Sequence, residues 1–189
     1  MESQSPVLAI DALTHSYGDR PVLHDVALEM RTGEHHLLLG PSGSGKTTLI
    51  HAIAGMLTPD SGRILIDGRP MTRIGAAARD RLRREKIGII FQSLRLVSAL
   101  GVRHNLRLAA RLSGHPATDV AIDALLEEVG IAHRAAAKPR RLSQGEAQRA
   151  AIARALVGKP RLLIATHDQR LRTLIPRAFN LSAKGLVAA

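Results

Sequence analysis

The residues best suited to chemistry lie together in Gly40-Pro41-Ser42-Gly43-Ser44-Gly45-Lys46-Thr47-Thr48. Gly40, Gly45, Lys46 and Thr47 satisfy the spacing G-x-x-x-x-G-K-[ST], between an apolar run at 37–39 and a helical period. Glycines here permit positive φ and close backbone approach, so the N–H groups of the turn can converge on an anion. A helix starting near Lys46 adds the positive end of its dipole. Lys46 is then placed to reach the β- and γ-phosphates of a nucleoside triphosphate, and the Thr47 hydroxyl to hold Mg2+. Leu49, Ile50, Ile53, Ala54 and Leu57 recur at helical spacing and would pack that helix on a sheet.

A second constellation is Arg141-Leu142-Ser143-Gln144-Gly145-Glu146 and the apolar period that follows. Ser143 and Glu146 have capping-box spacing, which predicts a helix from Gln144 to about Val157, closed by Gly158 and Pro160. Structurally this is a well-capped helix. Functionally it is another helix N-terminus, with a glycine and a hydroxyl, able to face an anion.

The elements that must position these residues can be read in order. Two apolar runs divided by Gly18 and Asp19 predict an antiparallel strand pair. Tyr17, the only tyrosine, stands just ahead of the phosphate loop and could stack on an adenine face; a half-buried strand aromatic is the bland alternative. A strand at 36–39 leads into the loop. After the loop's helix come a strand at 63–66, an Asp67-Gly68 turn and a basic helix at about 76–84. Ile87, Ile89, Ile90 and Phe91 predict a buried strand that delivers Gln92 at its carboxyl end, the edge where open α/β sheets bind ligands. Residues 93–140 read as helical, with Asp119 capping a helix to Val129, Leu125, Leu126 and Val129 on its inner side, and Gly130 ending it. The expected architecture is α/β: a P-loop NTPase core with a mainly parallel sheet, an antiparallel β subdomain and an inserted helical lobe. It forms a single domain over 1–189, with 1–92 and 141–189 as core and 93–140 as lobe.

Composition bounds the possibilities. A chain of 189 residues with 45% hydrophobic content can bury one good core. No apolar run approaches a membrane span, and the first residues lack the layout of a signal peptide, so a cytoplasmic protein is expected. The absence of cysteine excludes disulfides and thiolate metal sites. A formal net charge of +11 suggests an anionic partner: nucleotide, nucleic acid or an anionic lipid surface. Aromatics are 2% of the chain, which leaves no set of rings for stacking bases and disfavours nucleic acid. The basic clusters at 79–86 and 138–141 more often mean a solvated face or a membrane-proximal patch.

Taken together, His15-Ser16-Tyr17-Gly18, the phosphate loop, Phe91-Gln92 and the 142–156 stretch resemble the ATP-binding subunit of ATP-binding-cassette transporters, in order and in gaps, to about Ile164. Among its branches the motifs look most like the lipoprotein-releasing and macrolide-exporting one. The resemblance implies that Tyr17 stacks on adenine and that Gly40, Pro41, Ser42, Gly43, Ser44, Gly45, Lys46, Thr47 and Thr48 hold the phosphates of ATP. It implies that Gln92 touches Mg2+ and senses a membrane permease. It also implies that Ser143, Gln144, Gly145 and Glu146 cap the γ-phosphate of ATP bound to the opposite subunit of a head-to-tail dimer. Gln144 stands where the family more often has glycine, and Glu146 where it has glutamine. Glu146 sets a carboxylate near a phosphate unless it turns away as a cap.

The main departure follows Pro160. The family continues with a strand ending in Asp-Glu (Walker B and the catalytic glutamate), a loop that crosses the dimer interface, and a second strand ending in a switch histidine. Here one strand, Leu162-Leu163-Ile164-Ala165, runs straight into Thr166-His167-Asp168, so two similar strands look fused by an internal loss. By position His167 matches the switch histidine, Asp168 the residue after it, and no general base remains. Retained but weakened ATP binding, little hydrolysis and a destabilised core are expected. The remaining strand could pair directly with the phosphate-loop strand. The tail predicts a closing strand pair, 178–181 and 186–188, around Lys184-Gly185.

Two functional classes follow. The first is an ATP-binding subunit, peripheral on the inner face of the cell membrane, working with a permease. The second is a soluble P-loop protein acting with nucleic acid, which the lack of stacking aromatics disfavours. A small-molecule kinase fails for want of an acceptor-site motif.

Overall fold

Apolar alternation and turn chemistry build the first hairpin of the computed structural model, which describes residues 6–32, 34, 36–90, 94–165, 177–182 and 185–188. The chain divides into two units, 1–83 with 167–189, and 84–166.

In the first unit, β1 (Leu8–Tyr17) and β2 (Arg20–Met30) pair antiparallel across the predicted turn. Alternation in β1 breaks at Ala12, whose φ of 48° marks a bulge, and the register shifts there against both neighbouring strands. Beyond the bulge Leu13 and His15 are buried and share their face with Tyr17, so the irregularity sets which side chains line the end of the strand. β4 (Ser61–Ile66) covers the other edge of β1, and Asp67 and Gly68, both at positive φ, turn it into β5 (Arg69–Pro70). Gly62 has φ +91°, and a Cβ there would lie 2.4 Å from the Ala12 carbonyl oxygen; only glycine allows the bulge to pack so closely.

β3 (His36–Leu39) runs parallel to β8 (Arg177–Ser182), which pairs antiparallel with β9 (Gly185–Ala188). The closing pair expected of the tail is therefore formed. Helix α1 (Lys46–Ile53) follows the glycine-rich turn and buries Thr48, Leu49, Ala52 and Ile53. The helical period continued to Leu57 in the sequence, but the helix stops sooner. Gly55 takes φ +65°, and the N–H groups of Met56 and Leu57 both turn back to the His51 carbonyl. The basic helix α2 (Ala76–Lys86) carries a single buried side chain, Leu82.

In the second unit, β6 (Ile87–Ile90) runs parallel to β7 (Leu162–Ala165), residue Ile87 opposite Leu162 and Ile89 opposite Ile164. The strand left free by the sequence to join the phosphate-loop strand thus pairs with β6, and β3 pairs with β8. Gly88 fits because a Cβ there would meet the Ala155 carbonyl at 2.6 Å.

The helices of this unit are α3 (Val102–Leu112), α4 (Asp119–Glu128) and α5 (Gln144–Leu156). They share one apolar core of Val102, Leu106, Ile122, Leu126, Ile131 and Val157 with small alanines between them. Leu106, Ile122, Leu126 and Ile131 are fully buried. Leu125 and Val129, expected inward, pack partly buried against this core, and Gly130 ends α4 at φ +72°. The cap of α4 is Thr118, whose Oγ1 accepts from Ala121 N at 3.3 Å, and not Asp119. Asp119 is instead the first residue of the helix and is bonded by the Arg107 guanidinium, which holds its carboxyl below the usual carboxylate range. No described helix is long and apolar enough to cross a membrane.

Candidate functional site

The glycine-rich turn places its backbone where the sequence required. Gly40, Gly43 and Gly45 have φ of 139°, 81° and 94°. Gly45 is the N-cap of α1, and a Cβ there would stand 2.9 Å from the Val22 carbonyl oxygen, so both its conformation and its space demand glycine. No side chain caps this helix, and no acidic residue occupies its first turn. The first N–H groups of a helix lack intrahelical partners, and here they are left directed at whatever lies beyond the turn.

Lys46 arches back over the turn. Its Nζ donates to the carbonyls of Gly40 and Pro41 at 2.7 Å each and lies 3.4 Å from the Ser44 hydroxyl. The ammonium is thus held across the loop. Thr47, next along, is exposed, whereas Thr48 is buried against the body of the unit.

Beside the loop lies a cleft of about 330 Å³, lined by Tyr17 and Arg20 on one side and by Ser42, Gly43, Lys46 and Thr47 on the other. That volume is at the lower end for small-molecule sites. Tyr17 is 54% exposed and offers the cleft a ring. That ring and the His15 ring meet in a T-shaped contact, with centroids 4.8 Å apart and planes at 85°. The sequence assigns Arg20 no role, and His15 enters it only within the His15-Ser16-Tyr17-Gly18 motif. Arg20 stood two residues past the Gly18 turn signal, and only folding of the hairpin brings it to the loop. His15 reads as one more inward residue of an alternating strand.

The second constellation is at the start of α5. Ser143 Oγ accepts from Glu146 N at 3.3 Å while the Glu146 carboxylate accepts from Ser143 N at 2.7 Å, a complete capping box. The other Glu146 oxygen accepts from Arg134 Nε at 2.7 Å, and the side chain is buried. The Arg134 guanidinium first, then the Ser143 amide, hold this carboxyl down at about 2. Glu146 has therefore turned back as a cap, leaving Ser143, Gln144 and Gly145 exposed at the helix N-terminus. Gln92 and His167, with Thr166 and Asp168, lie outside the described residues. Among the described residues no cluster of three or more His, Asp or Glu could hold a metal ion by itself.

Known proteins resemble this chain in sequence and in fold. A family model described as ABC transporter matches residues 23–166. The methionine import ATP-binding protein MetN 2 of Rhodopseudomonas palustris is 40% identical over 178 residues, which cover 92% of this chain and 46% of the relative; the chain spans less than half of that relative's length. Among solved structures, the dimeric bacterial ABC transporter cassette MJ0796 superposes with TM-score 0.83 at 24% identity, covering 95% of this chain and 96% of the other. CbiO1 of Clostridium perfringens, part of the ABC transporter complex cbiONQ, gives 0.81 at 25% identity, covering 96% and 87%. The fold is that of an ABC cassette, an α/β P-loop NTPase with an antiparallel β subdomain, and the chain belongs to the ABC transporter family as one of its ATP-binding domains.

Proposed function

We propose that this chain is the ATP-binding subunit of an ABC transporter, coupled to a separate membrane permease that selects the cargo, and that it binds ATP but hydrolyses it slowly. The observation that carries the reading is the cleft in which Tyr17, Lys46, Thr47 and the uncapped start of α1 meet. The adenine stacks on Tyr17. The phosphates take the loop amides and draw Lys46 from the Gly40 and Pro41 carbonyls. Mg2+ suits a site where one or two protein oxygens complement phosphate and water oxygens. The exposed Thr47 hydroxyl fits that role, with Gln92 as second protein ligand, and the ion neutralises phosphate charge when bound.

The exposed Ser143, Gln144 and Gly145 face the γ-phosphate held by a second copy in a head-to-tail dimer. Glu146 serves that surface from behind, its carboxylate engaged by Ser143 and Arg134. One cassette is built from the α/β core, 1–92 and 141–189, and the lobe 93–140. It sits in the cytoplasm, peripheral on the inner face of the membrane.

Slow hydrolysis follows from an internal loss of the acidic Walker B strand, the catalytic glutamate and the interface loop. His167 retains the place of the switch histidine, but a positioned general base supplies roughly a hundred- to ten-thousand-fold, and the sequence has no counterpart of the family's catalytic glutamate, Asp168 matching only the residue after the histidine. On transport direction, 40% identity to an importer subunit favours an import-type branch over the export branch that the loop and signature motifs resemble. Nucleic acid is the lesser reading, since the cleft offers a single ring.

The test is steady-state phosphate release by the purified chain and by its Lys46→Ala variant. Release near the level of the variant supports the reading. An ordinary transporter turnover from the unmodified chain contradicts the slow-hydrolysis half of it.

A further inference from the structure

The ring of Tyr17 is backed by groups that the nucleotide site itself does not use. His15 lies two residues earlier on β1, on the same face beyond the Ala12 bulge, and is 8% exposed. Neither of its ring nitrogens has a hydrogen-bond partner, although Nδ1 is 3.2 Å from a carboxylate oxygen of Asp60. The two are close enough for charge attraction without being aligned for a hydrogen bond. The other Asp60 oxygen accepts from the Ser16 N–H at 2.8 Å, and Asp60 N donates to the Thr14 carbonyl at 3.0 Å. Asp60 thus holds the backbone on both sides of His15, its carboxylate at Ser16 and its backbone N–H at Thr14, just before Tyr17. The His15 ring in turn meets Tyr17 edge to face.

A buried imidazole with unsatisfied nitrogens costs stability, so its retention here calls for a reason. A tyrosine more than half exposed at the end of a strand has little else to fix its χ angles. We propose that His15 and Asp60 are positioning residues for nucleotide binding: Asp60 fixes the end of β1 and the His15 ring, and His15 holds the Tyr17 ring in the attitude that receives the base. The proposal deepens the nucleotide-binding reading and rests on it. It concerns the base alone, since the phosphate loop makes its contacts through Gly45, Lys46 and Thr47.

That separation gives the test. Because Tyr17 is the only tyrosine and the chain has no tryptophan, intrinsic fluorescence reports this ring alone. Binding of ATP and of inorganic tripolyphosphate, which has no base, is measured for the unmodified chain, His15→Ala, His15→Phe and Asp60→Ala. Tyr17 emission and its quenching by acrylamide are followed in parallel. An edge-to-face contact is worth enough to change affinity by about two- to tenfold. His15→Ala and Asp60→Ala should weaken ATP by that factor, leave tripolyphosphate unchanged and increase quenching of Tyr17. His15→Phe, which keeps a ring edge, should restore most of the ATP affinity. Asp60, 53% exposed at its side chain, gives the same test with the core intact if His15→Ala fails to fold. Unchanged ATP affinity in the two alanine variants, or an equal loss for both ligands, overturns the proposal alone. An unmodified chain that binds neither ligand overturns the nucleotide reading, and the proposal with it.

Discussion

Glu146 and Arg134 form a carboxylate–guanidinium contact at the start of α5, Oε1 to Nε at 2.7 Å, with the second carboxylate oxygen closing the cap of α5. The contact matters because it decides what the carboxylate does. It turns a group that would repel a phosphate into one that organises the helix end from within.

Stability should therefore depend on this group in acid. Its folded value, about 2, lies below the ordinary 4.5, so the folded chain binds fewer protons than the unfolded one across that interval. The stabilisation is complete above about pH 4.5 and is lost as pH falls toward 2. Thermal midpoints of the unmodified chain should drop through this window more steeply than those of Glu146→Gln, which should already be lower near neutrality. Parallel pH profiles for the two proteins would show that the pair contributes no linkage.

Base recognition is the job assigned to Tyr17. Tyr17→Ala should weaken ATP binding by about 1–3 kcal/mol, the usual worth of a base stacked on an aromatic ring. Tripolyphosphate titrated in the same calorimeter should bind as before. An equal loss for both ligands would mean that the ring supports the loop and not the base.

Gly45→Ala should do the opposite. With φ at +94° and the Val22 carbonyl 2.9 Å from a new Cβ, the loop must move. ATP and tripolyphosphate should lose affinity together. Unchanged binding of either would show that the turn tolerates a side chain.

The lobe rests on a small core, so cavities in it are costly. Leu106 is fully buried between α3, α4 and α5 residues, and Leu106→Ala should cost about 2–5 kcal/mol in denaturant unfolding. A loss below 1 kcal/mol would mean that the core collapses to fill the space.

What could be read from the sequence was what is local. The phosphate turn, the hairpin at Gly18, the Asp67-Gly68 turn and the Ser143–Glu146 box each depend on a few neighbouring residues whose types dictate φ or a hydrogen bond, and each formed as expected. Where two neighbours were equally fit, the pattern could not choose. Thr118 and Asp119 are both good caps, and Arg107, distant along the chain, drew Asp119 away. The run from Leu49 to Leu57 looked continuous because a helical period carries no account of Gly55 turning at positive φ. Strand partners were illegible for the same reason: nothing in Leu162-Leu163-Ile164-Ala165 distinguishes β6 from β3 as neighbour. In the proposed nucleotide site, the half assigned to the phosphates was visible and the half assigned to the base only partly so. Tyr17 stood out, while Arg20, His15 and Asp60 acquire meaning only once the strands are paired.

The central claim is that the chain holds ATP and leaves it intact. Its most direct measurement is equilibrium dialysis against ATP with Mg2+, followed by chromatography of the nucleotide recovered from the protein. The expected result is saturable binding of one nucleotide per chain, recovered as ATP, and absent from Lys46→Ala. Absence of saturable binding, or recovery of the bound nucleotide as ADP, would contradict it.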